Sequence, residues 1–263
     1  MRILIIGNGF DLNLGLKTGY KDFITSKYFK TLVKNRNPIA EYFNEKNELN
    51  NWVDIEKELT EYSIIVKNKN LDIKENFEEI KLALINYLKE AQEKEINQDS
   101  IAFKLLKEEI HTIDLIFNFN YTNSIFEIAK ILNIQNIETK HHYIHGSIKK
   151  QDIIFGVEDD AKIYDEHKFF KKASNKNHVG FGILKEFEEN NIIIFGHSLG
   201  ITDSSYFKKY IHERAINVIQ TEFKFYYYDN LGWEEMIKII DEYTKNQLTG
   251  FRANNFIPLD SSL

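Results

Sequence analysis

Cysteine is absent from all 263 residues, so neither a disulfide nor a thiolate metal site can form. A reducing cytoplasm is the compartment this absence fits. Proline occurs twice, at Pro38 and Pro258, which leaves room for long uninterrupted helices between them. Long apolar runs are missing too. No stretch approaches the ~20 apolar residues of a membrane span, so no membrane partner is expected. The opening "MRILIIG" reaches a glycine too soon for a signal peptide. Basic excess is likewise lacking: the net charge is −6, which excludes a general nucleic-acid-binding coat. The densest basic stretch, "HKFFKKASNK" (167–176), is expected to be a solvated loop or helix face. What the chain does have is aromatic residues, 14% of the total and mostly Phe and Tyr, so its core should be built around large rings.

"RILIIG" at the start has the character of a short, fully buried strand running into a glycine-rich turn. Over about 20–110 the texture becomes helical. "YKDFITSKYF", "WVDIEKELTEYSIIVK", "NFEEIKLALINYLKEAQEKE" and "SIAFKLLKEEI" all repeat apolar residues every three or four positions. Strand patterns then return at "IDLIFNF" (113–119), "HHYIHG" (141–146), "DIIFG" (152–156), "NIIIFG" (191–196) and "EFKFYYYD" (222–229). Helical patterns separate several of them, including "IFEIAKIL", a segment starting near Asp203, and "WEEMIKIIDEYTK". The alternation predicts an α/β fold: a Rossmann-like three-layer arrangement around a mostly parallel sheet, in one domain spanning 1–263. The 20–110 block is then a large helical insertion, or cap, after the first strand. The tail "LTGFRANNFIPLDSSL" shows no clear period.

Eight of the twelve glycines, at 7, 9, 15, 19, 146, 156, 196 and 200, cluster mostly just after predicted strands. In an open parallel sheet the carboxyl ends of the strands form the rim of the ligand crevice. Glycine there allows close backbone approach. Asn, Asp, His and Ser stand at the same strand ends, and that coincidence marks them as candidate site residues. "GNGFDLNLG" begins like a dinucleotide fingerprint with Gly7 and Gly9, but the next glycine falls at 15 instead of 12. No helix is expected to start at once, which implies a longer phosphate-facing loop.

Two other chemistries compete. "GHSLG" (196–200) matches the Gly-x-Ser-x-Gly of a nucleophile elbow, with Ser198 as nucleophile. A serine hydrolase needs a histidine base, and the one histidine after Ser198 is His212, inside a predicted helix. The esterase is therefore the weakest reading. "HHYIH" offers His141, His142 and His145, but on a strand residues 141 and 145 lie ~13 Å apart, too far to share one ion. No metal is expected. His145, at a strand end before Gly146, is the best placed single histidine.

The order of "GNGFDLNLGLKTGYKDF", "FNFNYTN", "HYIHGS" and "IIIFGHSLGITD" resembles the bacteriophage abortive-infection AbiH family and, more distantly, the sirtuin-like NAD-binding superfamily. Gly7, Gly9 and Gly15 fall on the glycine spacing of the sirtuin loop. "FNYT" is similar to the sirtuin Gln-Asn-Ile-Asp motif and aligns Asn120 with its asparagine. His145-Gly146 looks like the motif that carries the catalytic base, and Gly196-His197-Ser198 resembles the Gly-Thr-Ser that contacts phosphate and ribose. The sequence departs from that pattern in having no zinc-ribbon cysteines. It also has Phe119 for the glutamine, Thr122 for the aspartate and Lys17 for a proline.

The resemblance implies a crevice for NAD or a related nucleotide, with His145 and Asn120 as the catalytic pair. Gly7, Asn8, Gly9, Asp11, Gly15, Thr122, Gly146, Gly196, Ser198 and Asp203 would surround the ligand. A neutral imidazole at His145 would accept a proton from a ribose hydroxyl or from attacking water. Asp11 would stabilise positive charge or cap its loop, and Asp203 is expected to cap the next helix, with a site role as the alternative. "NWVDIE" resembles a stretch in AbiH proteins and makes Glu56 a further candidate. The function implied is antiphage defence, by cleavage of the nicotinamide–ribose bond or by nucleotide sensing. A phage-derived trigger or partner protein is implied, and assembly as a homo-oligomer is compatible with it.

Overall fold

The computed structural model describes residues 1–50, 55–67, 72–178, 191–200, 203–217 and 221–262. The chain opens with β1 (Arg2–Ile6) and α1 (Asn8–Asn13), then runs through α2 (Tyr20–Thr25), α3 (Lys27–Lys34), α4 (Pro38–Asn50), α5 (Ile55–Ile65), α6 (Ile73–Ala91) and α7 (Ile101–Glu109). β2 (Leu115–Asn118), α8 (Ser124–Ile131) and β3 (His141–Tyr143) follow. The last third contributes β4 (Asn191–Phe195), α9 (Ser204–Asn217), β5 (Glu222–Tyr227), α10 (Asn230–Thr244), α11 (Leu248–Asn255) and β6 (Phe256–Asp260).

Two compact units divide the chain. The first comprises Met1–Leu16, Glu95–Ile144 and Val179–Leu263; the second comprises Lys17–Lys94 and His145–His178. The predicted 20–110 block is thus distributed: α2 to α6 lie in the second unit, and α7 lies in the first.

The first unit is built on a six-stranded sheet of order β3-β2-β1-β4-β5-β6, with every pair parallel. Parallel strands bury both faces, which is why β1 and β4 read as unbroken apolar runs. The two-residue period sorts their side chains into two cores. Ile3, Ile5, Ile192, Ile194, Phe223 and Phe225 pack with Phe207, Tyr210, Ile240 and Phe251 of α9, α10 and α11. Leu4, Ile6, Ile193 and Phe195 pack on the other side with Phe10, Phe103, Leu106, Ile125 and Ile128 of α1, α7 and α8. Helices on both faces of one sheet give the three-layer, Rossmann-like architecture expected from the sequence.

In the second unit, α3 starts at Ser26, whose side chain accepts the Phe29 N–H. α6 buries Phe77, Ile80, Leu84 and Leu88 along one face, and Phe77 stacks on Phe155 and meets Phe170 edge-on.

Two expectations need correction, and one unassigned segment acquires a structure. A helix does start directly after Gly7. It is short because Gly15, at φ +85°, closes it in a Schellman motif: the Gly15 N–H bonds the Leu12 carbonyl and the Leu16 N–H bonds the Asp11 carbonyl, both at 3.0 Å. "DIIFG" is not a strand. Its apolar residues are buried among rings, with Phe155 against Phe77 and Tyr20, and the isolated bridge nearby, Val157–Lys171, falls just after the segment. An apolar run of this length does not by itself distinguish a sheet from another buried surface. The unassigned tail forms α11 and β6, and Pro258 is accommodated because β6 is an edge strand.

Candidate functional site

The strand order reverses between β1 and β4, the first strand being flanked by β2 on one side and β4 on the other. In open α/β sheets that switch point opens a crevice at the carboxyl ends of the two strands. The segments leaving β1, β2 and β4 at that edge contain most of the candidate residues: Gly7 to Gly15, Asn118 to Ser124, and Gly196 to Asp203.

The glycines there serve first to let two backbones interlock. The Gly7 N–H donates to the Phe195 carbonyl at 3.0 Å and the Gly9 N–H to the Gly196 carbonyl at 2.8 Å. A Cβ on Gly9 would stand 2.6 Å from the Gly196 Cα. On Gly196, itself at φ +64°, it would stand 2.1 Å from the Phe10 nitrogen. Gly7 is the N-cap of α1 in extended conformation, and Asn8 is exposed at the first helical position.

Asp11, fully buried on α1, binds the β1 segment to the β2 segment. Its Oδ2 accepts the Thr122 hydroxyl at 2.6 Å and its Oδ1 the Ser124 hydroxyl at 2.7 Å. Burial raises its pKa from 3.8 to about 6, outweighing the opposite pull of the Thr122, Ser124 and Asn120 hydrogen bonds. Asn120 continues the seam: its Nδ2 donates to the Gly7 carbonyl at 3.0 Å, and its backbone N–H donates to Asn118 Oδ1 at 2.8 Å. Asn118 Nδ2 lies 3.1 Å from His141 Nε2, which therefore acts as the acceptor. Burial, then the neighbouring His142, lowers the His141 pKa to about 4, so this ring is neutral. Tyr143 donates its hydroxyl to the Thr122 carbonyl at 3.0 Å.

The β4 segment holds a histidine that sequence reasoning passed over as a site residue. His197 Nδ1 accepts the Leu199 N–H at 3.0 Å, so the ring proton sits on Nε2, 3.3 Å from Asp203 Oδ2. The ring meets Phe119 at 4.4 Å and Phe207 at 4.9 Å. Asp203 stands just before α9, with its carboxylate turned to His197. Ser198 is exposed, and its Oγ accepts the Gly200 N–H at 3.2 Å.

The elbow motif can be set against this arrangement. A serine nucleophile needs an imidazole nitrogen free to take its proton. Both nitrogens of the adjacent His197 are occupied, and His212 lies along α9.

His145 and Gly146 belong to the second unit. His145 is buried and its carbonyl accepts the Ile154 N–H at 2.7 Å. Gly146 sits at φ +73°, where a Cβ would meet the Asp152 carbonyl at 2.2 Å. Glu56, in the first turn of α5, lies 3.3 Å from the ammonium of Lys172, which also lies 3.6 Å from Glu158. The basic stretch 167–176 is solvated only in part: Lys168 and Lys176 are exposed, as expected, but two of its basic residues are not. Lys172 is 2% exposed and paired with acids, and His167 is buried with its Nδ1 2.9 Å from the Ser63 hydroxyl. Trp52 and Asp54 of "NWVDIE" lie outside the described residues.

Ser124 and Asn118 were also missed. Both sit within or beside "FNFNYTN", and a second hydroxyl two residues after Thr122 was the available signal. Among the described residues no group of three or more His, Asp or Glu is arranged to hold a metal ion. Among them, too, no helix is long and apolar enough to cross a membrane.

An all-parallel sheet whose strand order reverses at β1, with interlocked glycines and a buried Asn, Asp, Thr and Ser seam at the carboxyl ends of its central strands, defines a Rossmann-like α/β protein. The family described as "Bacteriophage abortive infection AbiH" matches residues 3–227, and the chain belongs to that family. No curated protein and no solved structure matches the chain.

Proposed function

We propose that this AbiH-family chain acts in antiphage defence by binding a nucleotide at the carboxyl edge of β1 and β4, and that the nucleotide is NAD. The observation that carries the reading is the coincidence of the switch point with the Gly7–Gly9 and Gly196–Gly200 turns, since such a crevice receives nucleotides in open parallel sheets. In the catalytic form of the proposal, water adds to the ribose carbon as the nicotinamide leaves, and a base takes the water's proton. The resemblance to sirtuins assigns that base to His145. Incubating the purified protein with NAD, with and without phage-derived triggers, and following nicotinamide release tests this form. Release by the wild type and none by His145→Ala is the expected result. Equal inertness of the two removes the glycohydrolase.

One observation favours a sensor that binds without consuming. The side chains of Asn120, which would orient the reacting groups, and of Thr122, which would border the ligand, are engaged by the Gly7 carbonyl and by Asp11. Calorimetric titration separates the two forms: a sensor gives a saturable isotherm with NAD recovered intact.

A further inference from the structure

Leu199 is held in the left-handed region, at φ +56°, where a bulky side chain rarely sits. Such strain persists only where the surroundings over-determine it, and it concentrates at functional turns. Three contacts fix this residue. Its side chain is fully buried in the α9–α10 core, its carbonyl accepts the Tyr243 hydroxyl at 2.5 Å, and its N–H is taken by His197 Nδ1. The first two only anchor Leu199 to the core. The third determines how the preceding residues turn, because acceptor and donor are two residues apart.

His197 is itself fixed from four sides, by Leu199, Asp203, Phe119 and Phe207. Phe119 directly precedes Asn120, so the imidazole connects two of the segments that rim the crevice. Between His197 and Leu199 stands Ser198, which is exposed. Its Oγ accepts the Gly200 N–H, and among the described residues no acceptor takes its proton. A hydroxyl whose oxygen already accepts a hydrogen bond keeps its proton to donate to an incoming oxygen.

We propose that His197, as the neutral Nε2–H tautomer, is a positioning residue: it locks the 196–200 turn with Leu199 left-handed and so presents the Ser198 hydroxyl to the ligand. The proposal rests on the nucleotide-binding reading of this crevice. It gives His197 no part in proton transfer, since both ring nitrogens are used in the turn.

The test pairs NAD titration with NMR on the full chain. His197→Ala is expected to weaken NAD binding by roughly tenfold or more, as loss of a residue that orients a ligand contact does. The Leu199 amide should exchange faster in that variant while the β1 and β4 amides stay protected. His197→Asn places an amide oxygen where Nδ1 stood, and His197→Gln places an amide nitrogen near Nε2. The Asn variant should recover most of the affinity and the Gln variant less. Nitrogen-15 spectra of the wild-type ring should show the proton on Nε2. Unchanged NAD affinity in His197→Ala, or a ring protonated on Nδ1, overturns the proposal. Should the wild type bind no NAD, the nucleotide reading itself fails, and the exchange data decide the positioning role: a Leu199 amide still protected in His197→Ala overturns it. If His197→Ala does not fold, the Asn and Gln variants decide in its place, and an Asn variant that binds NAD no better than the Gln variant overturns the proposal.

Discussion

Thr122 and Asp11 are 111 positions apart in the chain, yet the hydroxyl of one donates to the carboxylate of the other at 2.6 Å with both residues buried. Together with Ser124 this makes Asp11 the clasp between the β1 and β2 ends. A carboxylate so enclosed, held by hydroxyls with no cation among its hydrogen-bond partners, is costly to keep ionised.

That cost has a definite pH dependence. With its pKa raised from 3.8 to about 6, folded Asp11 binds a proton more readily than unfolded Asp11. Its contribution to stability therefore grows as pH falls from 6 towards 4, reaching about 3 kcal/mol. His141, lowered from 6.5 to about 4, acts in the opposite direction: stability present above pH 6.5 is lost over the same interval, by about 3 kcal/mol. His167, also lowered by burial, adds to the loss. The wild type should show a shallow pH dependence between 4 and 6.5. Urea denaturation of Asp11→Asn should reveal a steeper acid destabilisation, and that of His141→Gln a flatter or reversed one.

The glycine interlock separates positions by backbone space. Gly196→Ala places a Cβ 2.1 Å from the Phe10 nitrogen and strains a left-handed residue, so it should cost at least about 3 kcal/mol. Gly250 lies inside α11 with nothing within 4 Å of the place an added methyl would take, and Gly250→Ala should stabilise by about 0.5–1 kcal/mol. Thermal melts of the two variants check both signs.

In the second unit, Lys172→Met removes a buried ammonium from between Glu56 and Glu158, and a loss of roughly 3–5 kcal/mol is expected. The double variant with Glu56→Gln should lose less than the sum of the single losses, because the two residues interact directly. Additive losses in denaturant titrations would show that the pair is not coupled.

Ser198 offers a sharp negative. Because His197 uses both nitrogens within its turn, a fluorophosphonate probe should not label the serine. Ser198→Ala should also change stability by no more than about 0.5 kcal/mol, since the side chain is exposed. Stoichiometric labelling would restore the esterase.

The architecture was legible because burial leaves a periodic trace. The unbroken "ILII" and "IIIF" runs gave β1 and β4, and the glycines after them marked the carboxyl ends of these strands. The clasp was not legible, since nothing in the spacing of Asp11, Thr122 and Ser124 announces that they meet. The backbone roles of the glycines, interlock at Gly7, Gly9 and Gly196 and helix closure at Gly15, were not legible from their spacing. "DIIFG" failed as a strand because an apolar run of three residues satisfies a helix-lined core as well as a sheet. His197 was hidden by its neighbours: a motif built around Ser198 drew attention away from the residue that shapes it.

Soaking crystals with NAD tests the central claim most directly. The account predicts density for the ligand at the carboxyl ends of β1 and β4, within hydrogen-bonding reach of the Ser198 hydroxyl. Ligand bound at another edge of the sheet, with the Gly7–Gly9 and Gly196–Gly200 turns untouched, would contradict it.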